Sequence, residues 1–265
     1  TGWASRVGLD AALGGLRGGL LPAQDEAAGV MARVHEPGAR SLLAGRPGRT
    51  GLATADVLGA CGVAVAGVLG RGVSPGARRG LARASDGLWH ALVRRLLLDA
   101  GWLAREAGVD AVTRQRVMLE ALHGEVLRLR RDAVLAGFVS EALDGGAGAA
   151  TRFWEAMRAA WGASPEPVWA VHAVVRAVEP GSWWGERPAA AIDGALAEPV
   201  ALGWLRARFN EDWWRNPQAG AGVVALVAGV HALGVSGWCA AESGPEDGAS
   251  ALRARLAEVA RVALR

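Results

Sequence analysis

Two neighbouring residues near the start of the chain, His35 and Glu36, carry the side chains with which zinc peptidases work. Such enzymes place two histidines one helical turn apart to hold the metal, and a glutamate next to the first one activates the metal-bound water. Here Ala39 stands where the second histidine belongs, and Pro37 interrupts the segment that should be helical. The dipeptide therefore indicates an incomplete zinc site, with His35 as a candidate ligand and Glu36 as the candidate catalytic base.

Serine, cysteine, lysine and tyrosine chemistry find little support in the sequence. Residues Gly72–Gly76 match the Gly-x-Ser-x-Gly nucleophile elbow, in which the residue after the serine donates its backbone N–H to the oxyanion. That residue is Pro75, which has no N–H, so we interpret the motif as a turn. Cys61 and Cys239 form no CxxC pair. All 29 basic residues are arginine and there is no tyrosine, which excludes a lysine base, a Schiff base and a phenol acid.

Helices are the elements expected to position these groups, which makes the predicted fold class all-α. The apolar residues from Ser85 onward recur at helical spacing, with Ser85 as the N-cap of a helix that Gly108 stops. Asp110 can cap the next helix, which runs to about Leu143. Further predicted elements are a helix across Gln24–Val34, a candidate short strand at Val63–Val68, and helices at Thr151–Trp161, Ala189–Phe209, Pro217–Leu233 and Ser250–Leu264.

The organisation of the chain and its charge bound the class of protein. Residues 1–84 include a Gly-rich segment and 85–265 a helical lobe, and we expect the two to pack together as one domain. The net charge is only +3 and arginine alternates with acids, so the sequence does not predict a nucleic-acid binder. Ala219–Ala241 is uncharged and long enough to span a bilayer. Its glycines and His231 lower its apolarity, so we expect a cytoplasmic protein outside the membrane, with a turn near Gly234.

The order of several segments resembles the thimet oligopeptidase and oligoendopeptidase group of zinc peptidases. In that group a Glu-Gly helix ends in a leucine-rich segment and an Asp-Pro-x-Trp-Leu stretch, which compare with Asp86-Gly87 and Arg95–Leu103. A helix with a basic doublet compares with Leu127–Val139, and an Asp-Pro-Gly-aromatic-aromatic turn compares with Glu179–Trp184. An Arg-Phe-x-x-x-Trp-x-Arg-Asn-Pro-x-Ala-Gly segment compares with Arg208–Gly220. The resemblance covers about residues 30–240 and implies the C-terminal part of a helical catalytic domain.

The resemblance also implies what has been lost. The family's third zinc ligand is the Glu of the Glu-Gly pair, replaced here by Asp86, and the family's oxyanion-binding tyrosines are absent. His90 lies four residues after Asp86 on the same helix face, so it is a candidate substitute ligand beside His35. Fewer ligands weaken zinc binding, and losing an oxyanion donor costs about 10²–10³ in rate. The implied function is a degenerate zinc peptidase, weakly active or inactive, that still binds peptide.

A non-enzymatic reading remains beside the peptidase hypothesis. In it the chain is an unrelated α-helical interaction or scaffold module, and the helices of residues 85–143, laced with arginine and glutamate, form the partner surface. Neither hypothesis sets an oligomeric state. Bound zinc would favour the peptidase, whereas an absence of zinc would leave both open.

Overall fold

The computed structural model describes residues 16–20, 29–36, 40–46, 51–70, 75–143, 148–162, 188–243 and 248–264. The first of these form a small three-stranded sheet, with strands β1 (Leu16–Leu20), β2 (Gly29–Glu36) and β3 (Arg40–Arg46). The strand order is β1-β3-β2, with β1 parallel and β2 antiparallel to β3.

Helices account for most of the remaining described residues. The eight α-helices are α1 (Gly51–Leu69), α2 (Pro75–Arg94), α3 (Ala100–Arg105), α4 (Ala111–Leu143), α5 (Ala149–Trp161), α6 (Pro188–Phe209), α7 (Ala219–Ser243) and α8 (Gly248–Ala263). Short 3₁₀ turns at Arg95–Leu98 and Trp213–Arg215 lead into α3 and α7. The predicted all-α class is therefore confirmed, although a small sheet precedes the helices.

Two sequence-based predictions before residue 85 are wrong. The helix expected across Gln24–Val34 is wrong from Gly29 onward, because these residues form β2 and pair with β3, whereas residues 24–28 lie outside the described residues. The candidate strand Val63–Val68 lies inside α1 instead. A short apolar run has no periodicity that separates a buried strand from a buried helix, and here most of this run is buried on a helix.

Helix ends were predicted best where the signal is local. Asp110 caps α4, since its Oδ1 accepts hydrogen bonds from the backbone N–H groups of Val112 at 3.0 Å and Thr113 at 3.1 Å. Gly108 has φ of 64°, the left-handed conformation expected of a residue that stops a helix. The predicted N-cap Ser85 is wrong, because α2 already begins at Pro75 and Ser85 is buried within it.

Glycines let the central helices approach to backbone contact. A Cβ placed on Gly87 of α2 would lie 2.4 Å from the carbonyl oxygen of Ala190, and one on Gly194 of α6 would lie 2.2 Å from the carbonyl carbon of Gly87. Gly62 of α1 packs as closely on the carbonyl oxygen of Trp89. Gly87, the glycine of the Asp86-Gly87 pair, thus allows α2 and α6 to cross in close contact.

Candidate functional sites

The structure separates the predicted metal residues into two elements. His35 and Glu36 end β2, where Glu36 pairs with Arg40 across a register shift, so this dipeptide does not begin a metal-binding helix. Asp86 and His90 are half-buried on α2. Among residues whose side chains the structure describes, no three His, Cys, Asp or Glu residues group as metal ligands. The side chains of His35 and Glu36 lie outside that set, so a shared zinc site stays a prediction.

The surroundings of His90 favour a neutral imidazole and oppose a cation. Its ring occupies the space beside Gly59, where a Cβ would lie 2.4 Å from Nε2. Burial lowers the pKa of His90 well below its ordinary value of 6.5, and the guanidinium groups of Arg128 and Arg94 lower it further. The same positive charges oppose a second cation at the ring, and the negative charge of Glu125 acts in the other direction.

Helix α3 meets the C-terminal end of α6 and the turn that follows it. Asp99 caps α3 by accepting a hydrogen bond from the N–H of Trp102 at 2.8 Å, and it also accepts one from Arg206 at 3.3 Å. Arg105 forms an ion pair with Asp212. A solvent-open cleft of about 440 Å³ lies beside this contact, lined by Asn210, Glu211, Asp212, Arg215 and Asn216. It is an open depression at the protein surface.

The most elaborate polar structure is a buried arginine–glutamate network centred on Arg95. Arg95 is 1% exposed, and both its Nε and its Nη2 donate to Oε1 of Glu125, at 2.8 and 2.6 Å. Its Nη1 donates to Glu198 at 2.7 Å and to the backbone carbonyl of Ala195 at 3.1 Å. One side chain therefore ties the end of α2 to both α4 and α6, and all three of its nitrogens have partners.

Pro199 explains the bond from Arg95 to Ala195. A proline inside a helix has no N–H, so the carbonyl four residues earlier loses its normal donor. Pro199 lies inside α6, and that carbonyl belongs to Ala195. Arg95 supplies the missing donor from another helix, at 3.1 Å.

The network continues in both directions from this centre. Glu125 also accepts from Arg94 Nε at 3.2 Å and from Arg128 Nη2 at 3.0 Å, and Arg94 reaches Asp56 on α1. Burial acts to raise the pKa of Glu125, but the positive charges of Arg95 and Arg128 outweigh it and hold that pKa well below 4.5. The carboxylate is therefore ionised at neutral pH.

Sequence reasoning missed this network, although weak signals for it exist. Arg95 lies beside Leu96 in the apolar row that begins after Ser85, and Glu125 lies three residues after Leu122, which packs against the core. Glu198 interrupts an alanine-rich apolar helix. A charge at an apolar position signals burial with a partner, but the sequence does not say which partner.

The opposite face of α4 presents a line of exposed residues that we call the outer stripe: Val112, Arg116, Leu119, His123, Val126 and Arg130. Its members are spaced alternately four and three residues apart, so they follow one edge of the helix. Three are apolar and recur every seven residues, with exposed fractions of 78%, 36% and 37%. The other three are basic side chains that alternate with them.

Helix α7 is also rich in apolar residues. One candidate membrane span occurs among the described residues, Ala219–Glu242, with a mean hydropathy of 1.8 and 33% of its apolar window buried. Its buried side packs into the core through Val223, Leu226 and Val227, and Gly234 interrupts its backbone with φ of 74°. The break lies where the sequence predicted a turn.

The two cysteines are unsuited to nucleophilic catalysis. Burial raises the pKa of the Cys239 thiol to about 11 and also raises that of Cys61, so neither forms an appreciable thiolate at neutral pH.

Comparisons with protein-family models, curated proteins and solved structures give no match to this chain.

Proposed function

We propose that this chain is a non-enzymatic α-helical interaction module that binds an amphipathic helix of a partner protein along the outer stripe of α4. The supporting observation is the line of Val112, Leu119 and Val126, exposed at seven-residue spacing on a 33-residue helix. Single exposed apolar residues are ordinary on protein surfaces. Seven residues is the period of helices that pack side by side, and here each repeat carries one apolar and one basic residue.

The inner face of the same helix supports this proposal. Met118, Ala121, Glu125 and Asp132 are buried against the rest of the bundle, and Glu125 is held by three arginines. A helix anchored in this way keeps its outer stripe straight before a partner arrives. Binding to a preorganised surface avoids the entropy cost of ordering that surface.

A second copy of the chain is a poorer occupant than a different protein. Pairing two outer stripes would bring Arg116 and Arg130 of one copy towards the same arginines of the other. Each close pair of like charges costs about 1 kcal/mol at 4 Å even in water. This repulsion opposes self-association through the stripe.

Selection from a displayed library of amphipathic helical peptides tests the proposal. The whole chain is used as bait, and the selected peptides are then measured against the double variant Leu119→Asp/Val126→Asp. Val224→Asp/Val262→Asp is the matched control, because these two valines are each 42% exposed on other helices. We expect the stripe variant to lose binding by roughly tenfold or more while the control retains it.

The proposal is wrong if no helical peptide is enriched, or if the selected peptides bind the stripe variant as tightly as the parent. Circular dichroism of each variant establishes that its helices are intact.

Peptide hydrolysis at a degenerate zinc site, with retained peptide binding, stays a prediction from the resemblance alone. Of its four residues, Asp86 and His90 are the two whose side chains the structure describes, and both lie half-buried on α2. Measuring bound zinc and zinc-dependent cleavage in the purified chain tests it.

A further inference from the structure

Resting on the proposed docking mode, we infer that the partner helix is acidic, with Asp or Glu side chains opposite the basic residues of the outer stripe. The stripe itself contains two arginines and a histidine but no acid. Charge complementarity along a helix pair selects partner and orientation more than it adds affinity. Acidic side chains would thus be the feature by which this surface selects one amphipathic helix over another.

The acidic residue nearest to the outer stripe does not neutralise the positive charge along the whole length of the stripe. Glu120 lies beside it and accepts a hydrogen bond from Arg116 Nε at 3.0 Å, as an exposed i,i+4 pair. Such pairs contribute about 0.3–0.5 kcal/mol, so a partner carboxylate can compete for Arg116. Arg130 lies about four helical turns after Arg116 and is exposed.

The spacing of the stripe sets the pattern that its partner needs. Arg116, His123 and Arg130 are seven residues apart, which corresponds to about 10 Å between neighbours along the helix. A complementary helix therefore carries acids at seven-residue intervals, alternating with leucine-like residues that pack on Leu119 and Val126. Arginine favours carboxylates in this setting, because its planar guanidinium binds both oxygens.

Phosphate backbones and membranes fit the same surface less well. A nucleic acid would leave the three apolar side chains without partners between its phosphate contacts. A membrane-binding helix needs a broad apolar face, whereas these apolar residues form a line one residue wide on a helix whose other side is buried.

Two synthetic peptides of three heptads test the inference. Both carry leucine at seven-residue intervals, and they differ only in having glutamate or lysine at the interleaved positions. Fluorescence anisotropy with the whole chain at low and high salt measures the two affinities. We expect the acidic peptide to bind roughly tenfold more tightly at low salt, with the difference shrinking at high salt.

Charge-reversal variants identify the residues responsible. Arg116→Glu/Arg130→Glu should reverse the preference, so that the lysine peptide binds better. Arg253→Glu/Arg261→Glu makes the same charge change at exposed positions of α8 and should leave the preference intact.

Each other outcome overturns a distinct part of the reasoning. Equal binding of both peptides, lost in Leu119→Asp/Val126→Asp, would overturn the acidic inference while the docking surface stands. If neither peptide binds and the library selection also fails, both the docking surface and the acidic partner are overturned. If neither peptide binds but the library selection succeeds, only the acidic partner is overturned. A dimer dissociated by the stripe variant, or binding to phosphatidylserine vesicles lost in Arg116→Glu/Arg130→Glu, would replace the partner helix by a second copy or a membrane.

Discussion

Replacing Glu125 by glutamine should destabilise the protein strongly, although the two side chains have the same shape. The Glu125 carboxylate accepts hydrogen bonds from Arg94, Arg95 and Arg128 and is 1% exposed. A glutamine offers one acceptor oxygen, and its NH₂ group would face guanidinium N–H groups, donor against donor. Three buried or nearly buried positive charges would lose their shared counter-charge.

The expected size follows from that burial. Removing one member of a buried ion pair costs about 3–5 kcal/mol, because the remaining charge stays desolvated. A domain is typically stable by about 5–15 kcal/mol, so Glu125→Gln removes a large part of the total. Glu120→Gln on the same helix is the control. Its pair with Arg116 is exposed, and its loss should cost about 0.3–0.5 kcal/mol.

Urea unfolding followed by circular dichroism measures both variants, and its pH dependence provides a second readout. The folded pKa of Glu125 is held well below 4.5, so its contribution is present above that pH and is lost as the pH falls towards the folded value. Glu125→Gln should lack this acid-dependent loss. If Glu125→Gln and Glu120→Gln lower the free energy of unfolding equally at pH 7, the reasoning about the network is refuted.

Four further predictions follow from other features. Gly194→Ala should lower the free energy of unfolding by about 1–3 kcal/mol, because the new Cβ would clash with the backbone of α2. On the same helix, the Cβ of Gly203→Ala would meet nothing within 4 Å, so this control should raise the free energy of unfolding by about 0.5–1 kcal/mol. Equal effects of the two variants in urea melts would contradict this prediction. Stability should fall as the pH drops through 6.5, because unfolded His90 gains a proton that the folded state excludes, and urea melts of His90→Gln should show a smaller slope. Purified chain with added zinc should cleave a quenched peptide library not at all, or orders of magnitude more slowly than an intact zinc peptidase; efficient zinc-dependent cleavage would refute this. The expressed chain should partition into the aqueous phase despite its apolar helix Ala219–Glu242, a prediction that recovery only in a carbonate-resistant membrane fraction would overturn.

How far the sequence predicts this fold depends on the range of the interactions. Asp110 and Gly108 act on neighbouring backbone, so their roles at helix ends follow from residue type. β2 forms through pairing with β3, a choice that local periodicity does not contain. The partners of Arg95, Glu125 and Glu198, lie 30 and 103 residues away in the sequence. The sequence therefore indicates the burial of Arg95 only through its position among apolar residues.

The same separation explains why the candidate sites were hard to assign. The family resemblance and the i,i+4 spacing predict the zinc residues. Neither signal contains the charges that other helices place near His90. Arg128 lies on α4, 38 residues after His90 in the sequence, so its approach to His90 depends on tertiary packing. The outer stripe, in contrast, lies on one helix, and its seven-residue repeat is visible in the sequence once the buried side of α4 is known.

The bond between Arg95 and Ala195 also constrains how the chain folds. The carbonyl that Pro199 leaves without a helical donor is satisfied by a side chain 100 residues earlier. Helix α6 cannot complete its hydrogen bonding until that long loop has closed, and closing long loops is slow. We therefore expect α6 and the Arg95 segment to enter the native state in one cooperative step. In native-state hydrogen exchange, the amides of α2 and of α6 around Pro199 would become unprotected in the same unfolding event.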